Sequence, residues 1–274
     1  MSEPAILVEG VAFDYPRGPR ALDGIDLRID VGDRIAVVGQ NGSGKSTLVR
    51  QFNGLLRPTE GSVSINGRPI GGRHVAELAR EVGLAFQNPD RQIFAGSVRA
   101  EVAFGPRNLG LSQAERDAAV ERAIATAGLV GDEGTNPYDL GFSRRKLLAL
   151  ASILAMETPV VILDEPTTGQ DARGIDRVQR IVADLSAAGR TVIAVSHDMR
   201  FVAESFERVV VMRAGQIVLD GTPAEAFAEA AWPTLATTYL EPPLAARVGA
   251  RLGQGATPTE AALVGALVAS AEGG

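Results

Sequence analysis

Cysteine is absent from the 274 residues, and histidine occurs twice, at His74 and His197. Disulfide scaffolds and thiolate metal sites are thereby excluded, and two imidazoles are too few for a histidine-based zinc site. Lysine is as scarce: of 27 basic residues only Lys45 and Lys146 are lysine. A chain that otherwise writes arginine uses lysine at 45 where a compact ammonium is needed. Acidic residues (33) exceed basic ones (27), giving a net charge of −6. A net charge of this sign argues against a global field that draws polyphosphates, and no nucleic-acid partner is expected. Apolar runs are short as well. The longest candidate, 261–270, is about half the ~20 residues of a membrane-spanning helix and contains a glycine. Residues 1–4 are polar and the apolar stretch 5–8 is too short for an export signal, so a cytoplasmic-type chain is expected.

What is present suffices for a packed core. Hydrophobic residues make up 45% and charged residues 22%, with material for one large or two small domains. Segments 6–13, 25–29 and 62–65 alternate partially, and Asn66-Gly67 is a hairpin signal, so an antiparallel subdomain is predicted near the start. Runs 35–38, 82–86, 160–163 and 191–195 are mostly apolar and separated by helical stretches. Strands buried on both faces of a largely parallel sheet read this way. Segments 209–212 and 216–219 around Ala214-Gly215 form a closing hairpin. A helix is predicted over 113–127 between Ser112 and Gly128, another over 145–156, and a last one opened by a capping box at Thr257-Pro258-Thr259-Glu260.

Four apolar runs end in polar residues with defined chemistry, and open α/β sheets bind ligands at the carboxyl ends of their strands. The run 35–38 leads into Gly39-Gln40-Asn41-Gly42-Ser43-Gly44-Lys45-Ser46-Thr47. This fits G-x-x-x-x-G-K-[ST] at every fixed position, after a strand and before an apolar helix. Glycines let backbone N–H groups curl around phosphate oxygens, and the next helix adds its positive end. Lys45 is placed to reach the β- and γ-phosphates, and the Ser46 hydroxyl to ligate Mg²⁺.

The other three runs end at Gln87, at Asp164-Glu165 and at Ser196-His197-Asp198. Asp164 suits the surroundings of Mg²⁺ and Glu165 suits polarising an attacking water. Adjacent carboxylates beside phosphates repel unless a cation sits there. Read alone, the pair equally suits an acidic strand end that caps the next helix. His197 has two readings, a structural histidine or a hydrogen bond to the γ-phosphate. Tyr15 reads as a core anchor or a base-stacking platform, Trp232 as the anchor of the tail, and His74 as solvated.

In this order and spacing the residues resemble the ATP-binding-cassette (ABC) ATPases, over roughly positions 1–225. Within that family, Phe86-Gln87-Asn88-Pro89-Asp90-Arg91-Gln92-Ile93-Phe94 looks like the ATPase subunits of energy-coupling-factor importers for vitamins and metal ions. The resemblance implies an α/β fold: a P-loop NTPase core with a mostly parallel sheet, an N-terminal antiparallel β subdomain and an inserted helical subdomain at about 97–156. Residues 1–225 would form the ATPase domain and 226–274 a C-terminal helical extension. It further implies that Tyr15 stacks on adenine, that Gly39 to Thr47 form the Walker A loop, and that Gln87 touches Mg²⁺ or water. Asp164 becomes the Walker B aspartate, Glu165 the general base and His197 the switch histidine, with ATP and Mg²⁺ as cofactors.

The sequence departs from the family in two places. The Leu-Ser-Gly-Gly-Gln signature falls on Leu140-Gly141-Phe142-Ser143-Arg144, where Ser143 stands ready to supply a hydroxyl from a shifted register. The D-loop Thr168-Gly169-Gln170-Asp171 carries Gln170 in place of the usual leucine. The cationic run Arg144-Arg145-Lys146 either faces an anion or is solvated surface charge. The implied partners are an integral membrane subunit and a second ABC ATPase, in a heterodimer or alternatively a homodimer, at the cytoplasmic face of the membrane. The alternative is a soluble, non-transport ABC ATPase with a mechanical or regulatory role. A single cassette without a basic extension favours the importer.

Overall fold

The computed structural model describes residues 3–16 and 18–272. Its strands are β1 (Ile6–Asp14), β2 (Arg20–Ile29), β3 (Arg34–Val38), β4 (Glu60–Ile65), β5 (Arg68–Pro69), β6 (Val82–Ala85), β7 (Val160–Asp164), β8 (Thr191–Val195), β9 (Arg208–Arg213) and β10 (Gln216–Gly221). They form an antiparallel sheet of order β2-β1-β4-β5 and a six-stranded sheet of order β10-β9-β3-β8-β7-β6. In the second sheet every neighbouring pair is parallel except the β9–β10 hairpin.

The short apolar runs are strands because both of their faces are covered. Ile35, Val37, Val160, Ile162, Ile193 and Val195 point into one core, shared with the antiparallel sheet and with α1 (Lys45–Phe52). The alternate residues Ala36, Val38, Val161, Leu163, Val192 and Ala194 point into the other. This period of two is what a pleated strand imposes. It places the carboxyl ends of β3, β6, β7 and β8 along one rim.

After the short α2 (Val75–Leu78), the second core is roofed by α3 (Val98–Asn108), α4 (Gln113–Ala127) and α5 (Phe142–Leu154). The capping box of α4 forms as the sequence predicts, with the Ser112 hydroxyl accepting from Glu115 N–H and Gly128 closing the helix at φ +69°. Helix α5 starts three residues before its predicted position, with Gly141 as N-cap and no capping side chain. It carries no sequence signal there, since its start is set by tertiary packing. Next come α6 (Ala172–Ala187), capped by Asp171, and α7 (Met199–Ser205), capped by Asp198.

Beyond β10 lie α8 (Pro223–Ala226), α9 (Trp232–Ala236), α10 (Leu244–Arg251) and α11 (Glu260–Glu272). Trp232 packs against the second core and donates its indole N–H to Phe227 O at 3.0 Å, the anchoring role expected of it. The predicted capping box at Thr257 is not formed. The buried Thr257 hydroxyl is committed to Ala245 O at 3.0 Å, and Thr259 caps α11 instead, accepting from Ala262 N–H at 3.1 Å. No helix among the described residues is long and apolar enough to cross a membrane.

Two hairpins turn through two-residue loops in the left-handed region, at Asn66-Gly67 (φ +47° and +69°) and Ala214-Gly215 (φ +46° and +81°). Such turns favour Asn-Gly, because alanine at positive φ costs about 1 kcal/mol. Ala214→Asn therefore stabilises the chain by ~0.5–1 kcal/mol, raising the melting temperature by about 1–3 °C in calorimetry. An unchanged or lower melting temperature contradicts this reading of the turn.

Candidate active site

The loop after β3 curls because two of its glycines sit where no side chain fits. A Cβ on Gly39 (φ +148°) would lie 2.2 Å from Met212 O, and one on Gly44 (φ +104°) 2.6 Å from Ala21 O. Backbone from the β9–β10 turn braces the loop beneath, with Gly215 N–H donating to Ser43 O at 3.0 Å. The Ser43 hydroxyl is buried without a hydrogen-bond partner inside the protein. Lys45 is 7% exposed, and its ammonium folds back to donate to Gly39 O at 2.7 Å and Gln40 O at 2.9 Å. Burial lowers its pKa, opposed by the charges of Glu165 and Asp164.

Strand β7 delivers the carboxylates. Asp164 is 3% exposed, and Ser46 Oγ donates to its Oδ1 at 3.4 Å. Burial raises the Asp164 pKa, against the pull of the Arg50 charge and with a further push from Glu165. Glu165 turns out of the strand with φ +52°, its N–H donating to Val195 O at 2.8 Å. Its Oε2 lies 2.7 Å from His197 Nδ1, and the Thr168 hydroxyl donates to the same oxygen at 3.4 Å. His197 itself is exposed. With an ionised Glu165 the Nδ1–H donates, which leaves Nε2 as an acceptor unless the ring carries a second proton.

Tyr15, Asn41, Gly42, Gly44, Lys45 and Ser46 share one cleft of about 310 Å³ with Thr47, Gln87 and Glu165. Tyr15 is exposed rather than a core anchor: its ring stands edge-on to Phe13 at 4.9 Å, its hydroxyl lies 3.1 Å from Thr47 Oγ1, and it lines the cleft. His74 is exposed just ahead of α2, as expected. The donor set suits a nucleotide with a divalent cation: glycine backbone that no Cβ could replace, a buried unpartnered hydroxyl, an ammonium, and a hydroxyl facing a buried carboxylate. Among the described residues no cluster of three or more acidic or histidine side chains could hold a metal without further ligands.

The two departures from the family pattern touch each other. Phe142 lies over Gly169, where a Cβ would come within 2.7 Å of its ring. Ser143 Oγ donates to Gln170 Oε1 at 2.5 Å, and Gln170 Nε2 donates back to Ser143 O at 3.1 Å. Gly141 precedes the helix as its N-cap. The cationic run faces this chain's own groups. Arg144 pairs with Asp132, and Arg145 pairs with Asp90 at 3.1 Å while donating to Leu140 O at 2.6 Å. Lys146 is buried, so the run is not uniformly surface charge. Thr168, the first residue of the D-loop, and Lys146, the last of the cationic run, both contact Glu165, and neither motif by itself predicts that contact.

A family model described as ABC transporter matches residues 22–168. The chain is 43% identical over 219 residues to the energy-coupling factor transporter ATP-binding protein EcfA of Methanocaldococcus jannaschii, spanning 79% of this chain and 78% of that protein. The protein of the same description from Methanothermobacter thermautotrophicus is 40% identical over 227 residues, 82% of this chain and 73% of that one. Among solved structures, cbiO1 from Clostridium perfringens, described as part of the ABC transporter complex cbiONQ, matches with a TM-score of 0.76 at 33% identity. That match covers 92% of this chain and 100% of the other. A dimeric ATP-binding cassette in a post-hydrolysis state with ADP and Pi shares the fold, with a TM-score of 0.72 at 24% identity over 79% of this chain and 98% of that one.

The raised pKa of Asp164 carries a stability consequence. A carboxyl whose folded pKa exceeds its unfolded value binds protons better when folded, so its ionised form destabilises the nucleotide-free fold at neutral pH. Asp164→Asn is expected to raise the melting temperature without nucleotide and to abolish the further rise on adding Mg²⁺ with a non-hydrolysable ATP analogue. A lower melting temperature would mark Asp164 as a structural residue.

Proposed function

The chain belongs to the ABC transporter ATPase family, and from that premise we propose that it is the ATP-binding and ATP-hydrolysing subunit of an importer of the energy-coupling-factor type, for a vitamin or a metal ion. The observation that carries the reading is the convergence of Lys45, Ser46 and Glu165 on one cleft, with Asp164 hydrogen-bonded to Ser46 and His197 to Glu165. In this reading residues 97–156 form the helical subdomain and 226–274 the C-terminal extension. The chain works at the cytoplasmic face of the membrane, held there by an integral membrane subunit.

Catalysis of phosphoryl transfer is mainly positioning and electrostatics. The loop from Gly39 to Thr47 cradles the phosphates with backbone N–H groups. Lys45 exchanges the carbonyls of Gly39 and Gln40 for β- and γ-phosphate oxygens, and Tyr15 stacks on the adenine. Ser46, Asp164 and Gln87 would hold Mg²⁺, which would supply positive charge to offset that of the phosphates. Glu165 takes the proton of the water that attacks the γ-phosphorus, and the bond to the β-phosphate oxygen breaks to give ADP and phosphate. His197 orients the Glu165 carboxylate through Nδ1–H, and with a second proton on the ring its Nε2–H donates to the γ-phosphate.

In ABC dimers each nucleotide is completed by the other subunit's signature, and here that segment is altered. Phe142 covers Gly169, and the Ser143 hydroxyl is engaged by Gln170. A regular signature on a second ABC ATPase would complete this chain's own site. This chain's altered segment would face the partner's nucleotide, where turnover is slower. A heterodimer follows, and a homodimer is the competing arrangement.

Adding the partner ATPase should raise the hydrolysis rate of the purified chain at least tenfold, about 1.4 kcal/mol of barrier. Glu165→Gln keeps the shape of the side chain and loses the base. The variant pair should therefore accumulate an ATP-bound dimer on size-exclusion chromatography while losing most turnover. A lone chain as fast as the mixture sinks the asymmetric dimer, and unchanged turnover in Glu165→Gln removes Glu165 from the base role.

A further inference from the structure

One of the two lysines is accounted for by the phosphate loop. The other, Lys146, lies one turn into α5 and is as buried as Lys45, each 7% exposed. Its ammonium donates to the carbonyl of Glu165 and, at 2.9 Å, to that of Thr168. The Phe142 ring, four residues earlier on the same helix, faces the ammonium at 5.9 Å. A cation here is costly. Burial lowers its pKa to about 8, opposed by the charges of Glu165 and Asp164. It also sits in the first half of a helix, where the backbone dipole disfavours positive charge.

Glu165 explains why a cation is kept there. Its φ of +52° puts a non-glycine residue in the left-handed region, a strain that persists only where the surroundings over-determine it. Three attachments do so. Its N–H donates to Val195 O on β8, its carboxylate meets His197 and Thr168, and its carbonyl accepts from Lys146. The carbonyls of Glu165 and Thr168 converge on one point from the two ends of a tight turn, closed by Thr168 N–H donating to Glu165 O at 3.4 Å. A compact ammonium with rotatable donors serves two such oxygens, whereas a planar guanidinium fork is shaped for paired acceptors side by side. This is a geometric reason for lysine in a chain whose other cations, Lys45 apart, are arginine.

We propose that Lys146 is a positioning residue for hydrolysis: its ammonium clamps the Glu165–Thr168 turn, holds Glu165 in its left-handed conformation and so aims the Glu165 carboxylate into the nucleotide cleft. The clamp also joins the altered signature segment at the start of α5 to this chain's own general base. Rearrangement at the head of α5 then reaches the base through one side chain. The proposal rests on the reading of Glu165 as the base.

The test compares Lys146→Met, similar in length but without a donor, with Glu165→Gln, each in the full chain assembled with its partner ATPase. Thermal unfolding, affinity for a non-hydrolysable ATP analogue with Mg²⁺, and kcat and KM for ATP are measured together. Lys146→Met should unfold near the wild-type temperature and bind the analogue within about twofold, while kcat falls at least about tenfold at little-changed KM. Wild-type kcat in Lys146→Met alongside an inactive Glu165→Gln overturns the clamp and leaves the base assignment standing. Active Glu165→Gln overturns the base assignment instead. A parallel loss of melting temperature, affinity and kcat marks a purely structural lysine and also overturns the proposal. If Lys146→Met does not fold, Lys146→Arg is read the same way, and wild-type kcat in that variant counts against the point-charge geometry.

Discussion

Charge buried at the carboxyl ends of parallel strands is the constraint on which the rest of this structure depends. Lys45, Lys146, Asp164 and Glu165 are all buried within one region, where an uncompensated charge would cost several kcal/mol. Each is met by a group the fold supplies: strand-end and loop carbonyls for the ammoniums, a hydroxyl for Asp164, an imidazole and a hydroxyl for Glu165. Those partners come from the turns after β3, β7 and β8 and from the first turn of α1. The sheet must therefore hold its register to hold the site, and the two apolar cores on its faces provide that rigidity.

The same constraint orders the chemistry. Lys45 donates to Gly39 O and Gln40 O, so its ammonium is held within the glycine loop itself. Asp164 and Glu165 lie side by side yet differ in environment. One is enclosed behind the Ser46 hydroxyl, and the other is turned by its positive φ toward an exposed histidine. Two adjacent carboxylates with unlike surroundings can take unlike roles.

Much of this was legible in the sequence. Apolar runs at 35–38, 160–163 and 191–195 mark buried strands because both faces of a parallel strand meet cores, and the polar residues that end them form the candidate site. The glycine pattern of the phosphate loop is local and was read directly. The head of α5 was not. Its start at Phe142 follows a glycine N-cap with no capping side chain, and the run Arg144-Arg145-Lys146 looks uniform, although two members pair with Asp132 and Asp90 and the third is buried. Those partners lie on other segments, so a one-dimensional pattern cannot reveal them. The hydroxyl of Thr257 reads as a cap for the same reason: its acceptor, Ala245 O, lies in the preceding helix. The mutual contact of Ser143 and Gln170 likewise turns two separate oddities of sequence into one packed unit.

Two lysines in 274 residues make the central claim directly measurable. In the chain labelled with ¹³Cε-lysine, NMR should show two lysine methylene signals whose pH titrations report the two ammoniums. Both should titrate below the ordinary lysine value of about 10.4, the signal that disappears in Lys146→Met with a midpoint of about 8. Two signals titrating at the ordinary value would mean solvated ammoniums, and would contradict a site organised around buried cations.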